Sequence, residues 1–594
     1  MKSSNRAFLL LGAAGLALAI PALAQNSDAP ESLLPEGFGD PGTLPPPEKA
    51  SPRAAPGGPT APAADRADEI VQDLNGSTAV EEDPLGGQRP TNYFSIPPGA
   101  TRSTDLVGIL EPGNFGLRSD AFGAGGGTFQ MSLMRQLDAP LPSRWTSILL
   151  RRALLSRLAA PAGADPVNWV AERADLLLRM GEADAARMLV ESVDVDVYTP
   201  RMIQVAAQAA LATADPSGLC PLVGPARAGR DAVWVLTSAM CAALEGEAAR
   251  ASALVDQARG SGAGGIDLML AEKVIGAGGE TRRAAAVVWD GVDALNPWRL
   301  GLAGATGAAI PAPLLAGAEP RLLAYYARDA MVPPEARIDA AATAAALGVF
   351  SSSALIELHS LIFDRADPAE VGETIAARLR SAWAAPEEAE RIAAMRRLWE
   401  EPRDPLQRYA RLILTAGAAA RIEPSAETGS EAPDLLAAML SAGLDARASR
   451  WAAVVEQSGD QRAWALLAAG TPMPGVDVSA DRVGAYVDAI GGRSGEMLVA
   501  ALAGLGRISD NDLRDLGNTV GVRFDARDAW GDALDAATRG RQQGSVALLA
   551  AVGMQTSGWG GVPPRNLYRA LRALRAVGLD YEARMIAAEA IARL

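Results

Sequence analysis

Apolar side chains recur every three to four residues along most of the chain, from about residue 142 to residue 594. The stretch 169–193 (WVAERADLLLRMGEADAARMLVESV) shows this pattern twice, once on each side of Gly181. The first apolar face consists of Val170, Ala174, Leu177 and Leu178, and the second of Ala185, Met188, Leu189 and Val193. Each face has the spacing of one side of an α-helix, and the glycine between them predicts a turn. The stretch therefore predicts a hairpin of two helices.

The same local pattern returns at several places. A glycine is followed five residues later by an alanine, in the pairs Gly181/Ala186, Gly246/Ala251, Gly279/Ala284, Gly443/Ala448 and Gly578/Ala583. Glycine supplies the backbone freedom that a tight interhelical turn needs, and the small alanine side chain lets two helices pack closely. Gly246 and Gly279 lie 33 residues apart, and Gly181 and Gly246 lie 65 apart, which is close to two such periods.

A weaker copy fills the gap between Gly181 and Gly246, where Asp215-Pro216 replaces Gly-Glu and Cys220 takes the alanine position. A helical hairpin with a period near 34 residues resembles the tetratricopeptide repeat, most clearly over residues 165–290. This resemblance implies an all-α fold, a right-handed superhelical array of hairpins (an α-solenoid) in which each unit touches its neighbours. It also implies a concave surface suited to peptides or folded partners.

The first 24 residues predict an export signal. Lys2 and Arg6 form a basic start, an apolar run follows over residues 7–20, and Pro21-Ala22-Leu23-Ala24 provides a small-residue cleavage site. We expect cleavage after Ala24 and a periplasmic location. No later stretch reaches 18 clean apolar residues, so no transmembrane segment is expected in the mature chain.

Residues 25–90 predict a disordered linker, because they combine many prolines with twelve acidic and four basic residues. Such a segment serves as a tether or, alternatively, as a docking segment that orders on a partner. Residues 91–141 are rich in Gly and Pro and predict an extended segment that packs on the first helices. The helical-repeat array is expected over residues 142–481, and a C-terminal helical subdomain that continues it over residues 482–594.

Charge narrows the range of partners. The formal net charge is −15. A protein this acidic lacks the general basic surface that nucleic acids and anionic membranes attract, so neither is expected as a partner. The sequence assigns no oligomeric state.

Cys220 and Cys241 are the only two cysteines. An even number in an oxidising compartment favours a disulfide. The repeat register places Cys220 in the second helix of one hairpin and Cys241 in the first helix of the next, which are neighbours in a stacked array. We therefore predict a structural disulfide, with two buried free thiols as the alternative.

Residue patterns for catalysis are weak. His359 is the sole histidine, and neither a Gly-x-Ser-x-Gly nor a His-Glu-x-x-His pattern occurs. We interpret His359 as a structural residue and predict no catalytic residue, no metal site and no cofactor. Trp559 stands among turn residues in TSGWGGVPPRN, and it is the tryptophan that we predict as an exposed binding contact.

These features together predict a non-catalytic periplasmic scaffold that binds a protein or peptide partner in cell-envelope assembly or positioning, such as wall, outer-membrane, appendage or export machinery. The alternative is an enzyme that acts on the cell wall or on polysaccharides, or its accessory subunit. Soluble lytic transglycosylases also carry an Ala-rich helical superhelix, but their catalytic segment has no counterpart in this sequence.

Overall fold

The computed structural model describes residues 100–224, 232–278, 287–367, 369 and 371–594. Within these ranges the protein contains 27 α-helices and no β-strand. The predicted all-α class is therefore confirmed.

The helices of the first half are α1 (Gly127–Gln136), α2 (Arg144–Leu155), α3 (Pro166–Arg179), α4 (Ala183–Glu191), α5 (Pro200–Ala212), α6 (Ala232–Leu244), α7 (Ala248–Gly260), α8 (Gly265–Gly278), α9 (Pro297–Thr306), α10 (Ala312–Ala316), α11 (Pro320–Arg328), α12 (Ile338–Leu347) and α13 (Ser352–Arg365). Those of the second half are α14 (Ile375–Ala384), α15 (Glu388–Glu400), α16 (Pro405–Ala419), α17 (Ala432–Ser441), α18 (Asp445–Ala448), α19 (Ala452–Ser458), α20 (Gln461–Gly470), α21 (Ala480–Ile490), α22 (Gly492–Gly504), α23 (Asp510–Val520), α24 (Ala529–Arg539), α25 (Gln543–Gly553), α26 (Pro564–Ala576) and α27 (Asp580–Ala592). Short 3₁₀ helices lie at Val195–Val197, Pro216–Leu222, Pro334–Arg337, Val371–Glu373, Gly429–Glu431, Ser449–Trp451 and Trp559–Gly561.

The repeated glycines lie in turns between helices. Gly181, between α3 and α4, has a φ of +90°. Its N–H donates to the carbonyl of Leu178, and the N–H of Glu182 donates to that of Leu177, each at 2.9 Å. This pair of bonds satisfies the last carbonyls of α3 and requires the left-handed backbone that glycine adopts without strain. The same pair of bonds occurs at Gly246, Gly443 and Gly578, and each alanine five residues further on is buried, namely Ala186, Ala251, Ala448 and Ala583. Gly279 and Ala284 lie outside the described residues.

The weaker copy differs from the expected register by one residue. Ala214, with a φ of +52°, is the residue in the left-handed conformation after α5. Its N–H donates to the carbonyl of Leu211, and the N–H of Asp215 donates to that of Ala210. Ala214 therefore takes the glycine position, and the buried Leu219 rather than Cys220 takes the alanine position.

Helix α2 lies at the centre of the fold. It packs against α3 and α12, and also against α25 and α27 near the far end of the chain. The hydroxyl of Ser143 at its start donates at 2.7 Å to Glu589, a residue 446 positions away. An array in which each unit touches only its sequence neighbours lacks such contacts. The nearest-neighbour expectation is therefore wrong for this helix, although α3–α4, α6–α7, α11–α12, α14–α15, α16–α17, α24–α25 and α26–α27 do pack as consecutive pairs.

Buried charges hold both ends of α2. At its N-terminus, Glu589 of α27 accepts hydrogen bonds from the backbone N–H groups of Arg144 at 2.9 Å and Trp145 at 3.1 Å. At its C-terminus, the guanidinium of Arg173 donates to the carbonyls of Leu154 at 2.8 Å and Ser156 at 2.7 Å. A negative charge at the start of a helix and a positive charge at its end both complement the helix dipole. The two side chains thereby satisfy polar groups of the backbone that the surrounding core cuts off from water.

Two segment boundaries differ from those expected. Residues 100–126 contain no helix, and Val107 exchanges two backbone hydrogen bonds of 3.1 Å with Leu158 after the end of α2. Residues 127–136 form α1, however, because Leu133 and Met134 bury an apolar face that the Gly-rich surroundings obscured in the sequence. The C-terminal helices also do more than extend the array, since α25 and α27 share the main core with α2. Residues 1–24 and 25–90 lie outside the described residues.

A second apolar core lies around α6, α8 and α9 and contains Leu236, Leu270 and Trp298. The predicted disulfide lies beside it, with the Sγ atoms of Cys220 and Cys241 2.08 Å apart and their Cα atoms 5.5 Å apart. Cys241 belongs to α6 as expected, whereas Cys220 lies in a 3₁₀ helix because Pro216 and Pro221 interrupt regular α-helix there. The bond ties this 3₁₀ helix to the second core.

Candidate functional site

A groove of about 580 Å³ runs between α13 and α14. Helix α16 packs behind both of these helices. The apolar lining of the groove consists of Ile356, Phe363, Ala376, Leu379, Trp383 and Ala384, and its polar lining of Ser353, Glu357, His359, Ser360, Asp364 and Arg380. We refer to this feature as the α13/α14 groove. A largely apolar concave surface with a few polar groups is the usual form of a binding site.

Local sequence explains why the two walls stand where they do. Ser351 caps α13 by accepting from the N–H of Ala354, and Thr374 caps α14 by accepting from that of Ala377. These caps fix where each helix begins on either side of the connecting segment. The walls remain separate along the groove, and its inner surface is formed by side chains of both helices.

The position of Trp383 depends on a small residue in α16. A Cβ atom built on Gly417 would lie only 2.7 Å from Cζ2 of Trp383, so a larger residue at 417 would push the indole outward. The guanidinium of Arg421 lies 5.5 Å from the centre of the same ring. Glycine and arginine in α16 thus hold the indole against the inner side of the groove, and Arg421 adds a cation–π contact.

His359 is the most unusual residue of the groove. Its side chain is 4% exposed, and its Nδ1 atom is buried without a hydrogen-bond partner among the described residues. Burial lowers the pKa of His359 to about 4, and the nearby charge of Arg411 lowers it further. The imidazole is therefore neutral at physiological pH, with one nitrogen able to donate and the other able to accept a hydrogen bond.

A second polar atom in the same lining also has no partner. The Nε1 atom of Trp383 is buried and donates no hydrogen bond within the part of the chain that the structure describes. Buried polar groups in folded proteins nearly always have partners, and exceptions concentrate where a ligand or a water supplies one. Two such groups in one groove distinguish it from an ordinary gap between helices.

The rim of the groove carries both signs of charge. The guanidinium of Arg380 lies 4.9 Å from the centre of the Phe363 ring, in a cation–π contact. Glu357 and Asp364 line the opposite wall on α13, and both are exposed. A partner with an apolar stripe flanked by acidic and basic residues would match this arrangement.

The other predicted site residues lie elsewhere. Trp559 is 3% exposed and belongs to a 3₁₀ helix, so the prediction of an exposed contact is wrong. The surrounding Gly and Pro residues form the turns that cover the indole rather than leave it in solvent. The disulfide and the turn glycines belong to the hairpins and the second core, outside the α13/α14 groove.

Within the described ranges, no group of three or more His, Cys, Asp or Glu side chains is placed to hold a metal ion. None of the helices found there combines the length and the apolar character needed to cross a bilayer. Comparison of the chain with protein family models, with curated proteins and with solved structures finds no match in any of the three.

Sequence reasoning identified His359 but not the groove around it. The stretch SSSALIELHSLIF follows an ordinary amphipathic pattern, so its apolar residues predict burial and give no sign that one face lacks a covering helix. The one local signal is Gly417 within the helix-forming run TAGAAA, because a glycine inside a helix often marks the close approach of a large side chain.

Proposed function

We propose that the protein is a non-catalytic periplasmic scaffold, built of helical hairpins like those of tetratricopeptide arrays, that binds a protein or peptide partner in cell-envelope assembly or positioning. The α13/α14 groove is the observation that carries this proposal. Its two walls are helices and its lining is apolar, so an amphipathic helix of the partner fits as a third helix between them. His359 and the indole N–H of Trp383 then contribute hydrogen bonds that fix the position of the bound segment.

Two sequence features support export. The N-terminal residues have the order of basic start, apolar run and small-residue cleavage site. The cysteines lie at disulfide distance, which suits an oxidising compartment. We expect the exported chain to begin at Gln25, and N-terminal sequencing of the protein from a periplasmic extract tests this.

The binding role is tested by filling the groove. Ser360 lines the groove and is exposed, so Ser360→Trp adds a bulky side chain to the binding surface without disturbing the core. Ser381 is an equally exposed serine that faces α15 on the other side of α14, and Ser381→Trp is the matched control. In affinity capture from periplasmic extract, the wild type and the control should retain the same partner, and Ser360→Trp should lose most of it.

Two results would contradict the proposal. Equal capture by the two variants would show that the groove is not the binding surface. A clearing band in zymography on purified cell-wall material would favour the alternative, an enzyme acting on the wall or on polysaccharides.

A further inference from the structure

The N-terminal segment contains a short stretch with the pattern of an amphipathic helix. Residues 62–76 read PAADRADEIVQDLNG, and they lie outside the described residues. Ala67, Ile70, Val71 and Leu74 recur at the spacing i, i+3, i+4, i+7, which is one face of a helix. Pro62 precedes the pattern and Gly76 follows it, as is typical of a helix start and a helix end. The rest of the N-terminal segment has no comparable apolar stripe.

This stretch matches the α13/α14 groove in shape and in charge. Its narrow apolar stripe of three large residues suits the apolar lining between the two helical walls. The opposite face is acidic, with Asp65, Asp68, Glu69 and Asp73. Arg380 on the rim forms a cation–π contact with Phe363 and no ion pair with a carboxylate within the described ranges, so it is available to an acidic segment.

The length of the intervening chain also fits. The described chain starts at Ala100, and Arg102 is held there by Asp194, with Nε and Oδ1 2.6 Å apart. From Asp194 back to Gly181 the chain spans about 20 Å if it is counted at the helical rise. A Cβ on Gly181 would lie 3.4 Å from Cγ2 of Val349, which is close to the start of α13. A flexible linker from residue 76 to residue 100 spans about 27 Å on average, so it brings the stretch to the Ser353 end of the groove.

We propose that residues 63–76 occupy the α13/α14 groove as a helix and that a partner must displace them to bind. This inference rests on the groove being a binding site, as proposed above. Because the segment is covalently linked, it acts at an effective concentration of the order of millimolar, which is enough to oppose a weak ligand and to be displaced by a strong one. The N-terminal segment is then a regulator of binding and not only a tether.

Cysteine cross-linking in the full chain tests the docked geometry. The only native cysteines are bonded to each other, so an introduced pair reports cleanly. Val71→Cys lies on the apolar face and Glu69→Cys on the opposite face, and each is combined with Ser360→Cys in the groove. Under mild oxidation, the Val71→Cys pair should cross-link within one chain at several times the yield of the Glu69→Cys control. Equal yields for the two faces, or cross-linked dimers that increase with protein concentration, would overturn the proposal, the latter in favour of a second copy as occupant.

Hydrogen exchange separates this inference from the proposed function. The triple variant Ile70→Ser, Val71→Ser, Leu74→Ser removes the apolar stripe, and Asp65→Ser, Asp68→Ser, Asp73→Ser is the matched control on the polar face. Amide exchange in α13 and α14 should become several-fold faster in the first variant only, and partner capture should increase. If exchange is unchanged while Ser360→Trp still abolishes capture, the groove binds a partner but not residues 63–76. If capture does not respond to Ser360→Trp either, the proposed function itself has failed.

Discussion

The contact between Glu589 and the start of α2 offers the most direct test of the fold. The carboxylate is 3% exposed and accepts hydrogen bonds from two backbone N–H groups and one hydroxyl of the α2 N-terminus, and also from Arg593 at 2.9 Å. Glu589→Gln preserves the size of the side chain but removes its charge. It also places an NH₂ group where the surrounding atoms are donors, so at least one backbone N–H loses its acceptor.

The magnitude follows from these contacts. Hydrogen bonds to a buried charged group contribute about 1.5–3 kcal/mol, and the interaction of a charge with a partly buried helix end contributes up to about 2 kcal/mol. Since the amide retains one oxygen for part of this network, we expect the free energy of unfolding to fall by about 3 kcal/mol. Glu423→Gln is the control, because Glu423 pairs with Arg450 at the surface with its side chain 66% exposed. Exposed pairs of this kind contribute about 1 kcal/mol or less.

The assay is urea unfolding followed by circular dichroism at 222 nm, together with hydrogen exchange resolved to α2. Exchange is needed because a chain of this size need not unfold in two states. The Glu589→Gln variant should lower the unfolding midpoint and increase exchange in α2 and α27, while Glu423→Gln should do neither. Equal effects of the two substitutions would refute the central position of α2.

Three further predictions concern pH, turns and the disulfide. Because the pKa of His359 is lowered to about 4 from its ordinary 6.5, its contribution to stability is fully present above pH 6.5 and is lost as the pH falls toward 4. The loss is about 3 kcal/mol by linkage, and unfolding of His359→Gln across this pH range should lack that component. Ala214 and Arg541 adopt φ values of +52° and +53°, so Ala214→Gly and Arg541→Gly should each raise the free energy of unfolding by up to about 1 kcal/mol, whereas Ala207→Gly inside α5 should lower it, as measured by urea denaturation. Replacement of Cys220 and Cys241 by Ser should lower stability by about 3 kcal/mol, and the faster hydrogen exchange should be confined to α6–α9 around the second core. Faster exchange throughout the protein would contradict that assignment.

The hairpins were predictable because their signals are local. A glycine that ends one helix and an alanine that packs five residues later are neighbours in sequence, so the pattern at Gly181 and Ala186 carries its own explanation. The disulfide was predictable from the number of cysteines and the compartment. The turn at Ala214 was misplaced by one residue because a left-handed alanine leaves no trace in composition.

The closure around α2 and the α13/α14 groove were not predictable in the same way. Glu589 lies in the run MIAAEAIA, where a lone carboxylate on an apolar helix hints at a buried partner without naming it. That partner is more than 400 residues away, and helical periodicity carries no information over such a separation. The groove depends on the absence of a helix between two others, and absence of a neighbour does not alter the amphipathic pattern of either wall.

The position of α2 also has a consequence for biogenesis. Ribosomes make the chain from its N-terminus, so α2 emerges early while the acid that caps it and the helices that cover it emerge last. Until residue 589 is available, one end of α2 has backbone donors without their acceptor and one side has an uncovered apolar surface. Maturation of this protein is therefore post-translational at its centre, and the early chain has reason to need a chaperone during its passage to the native state.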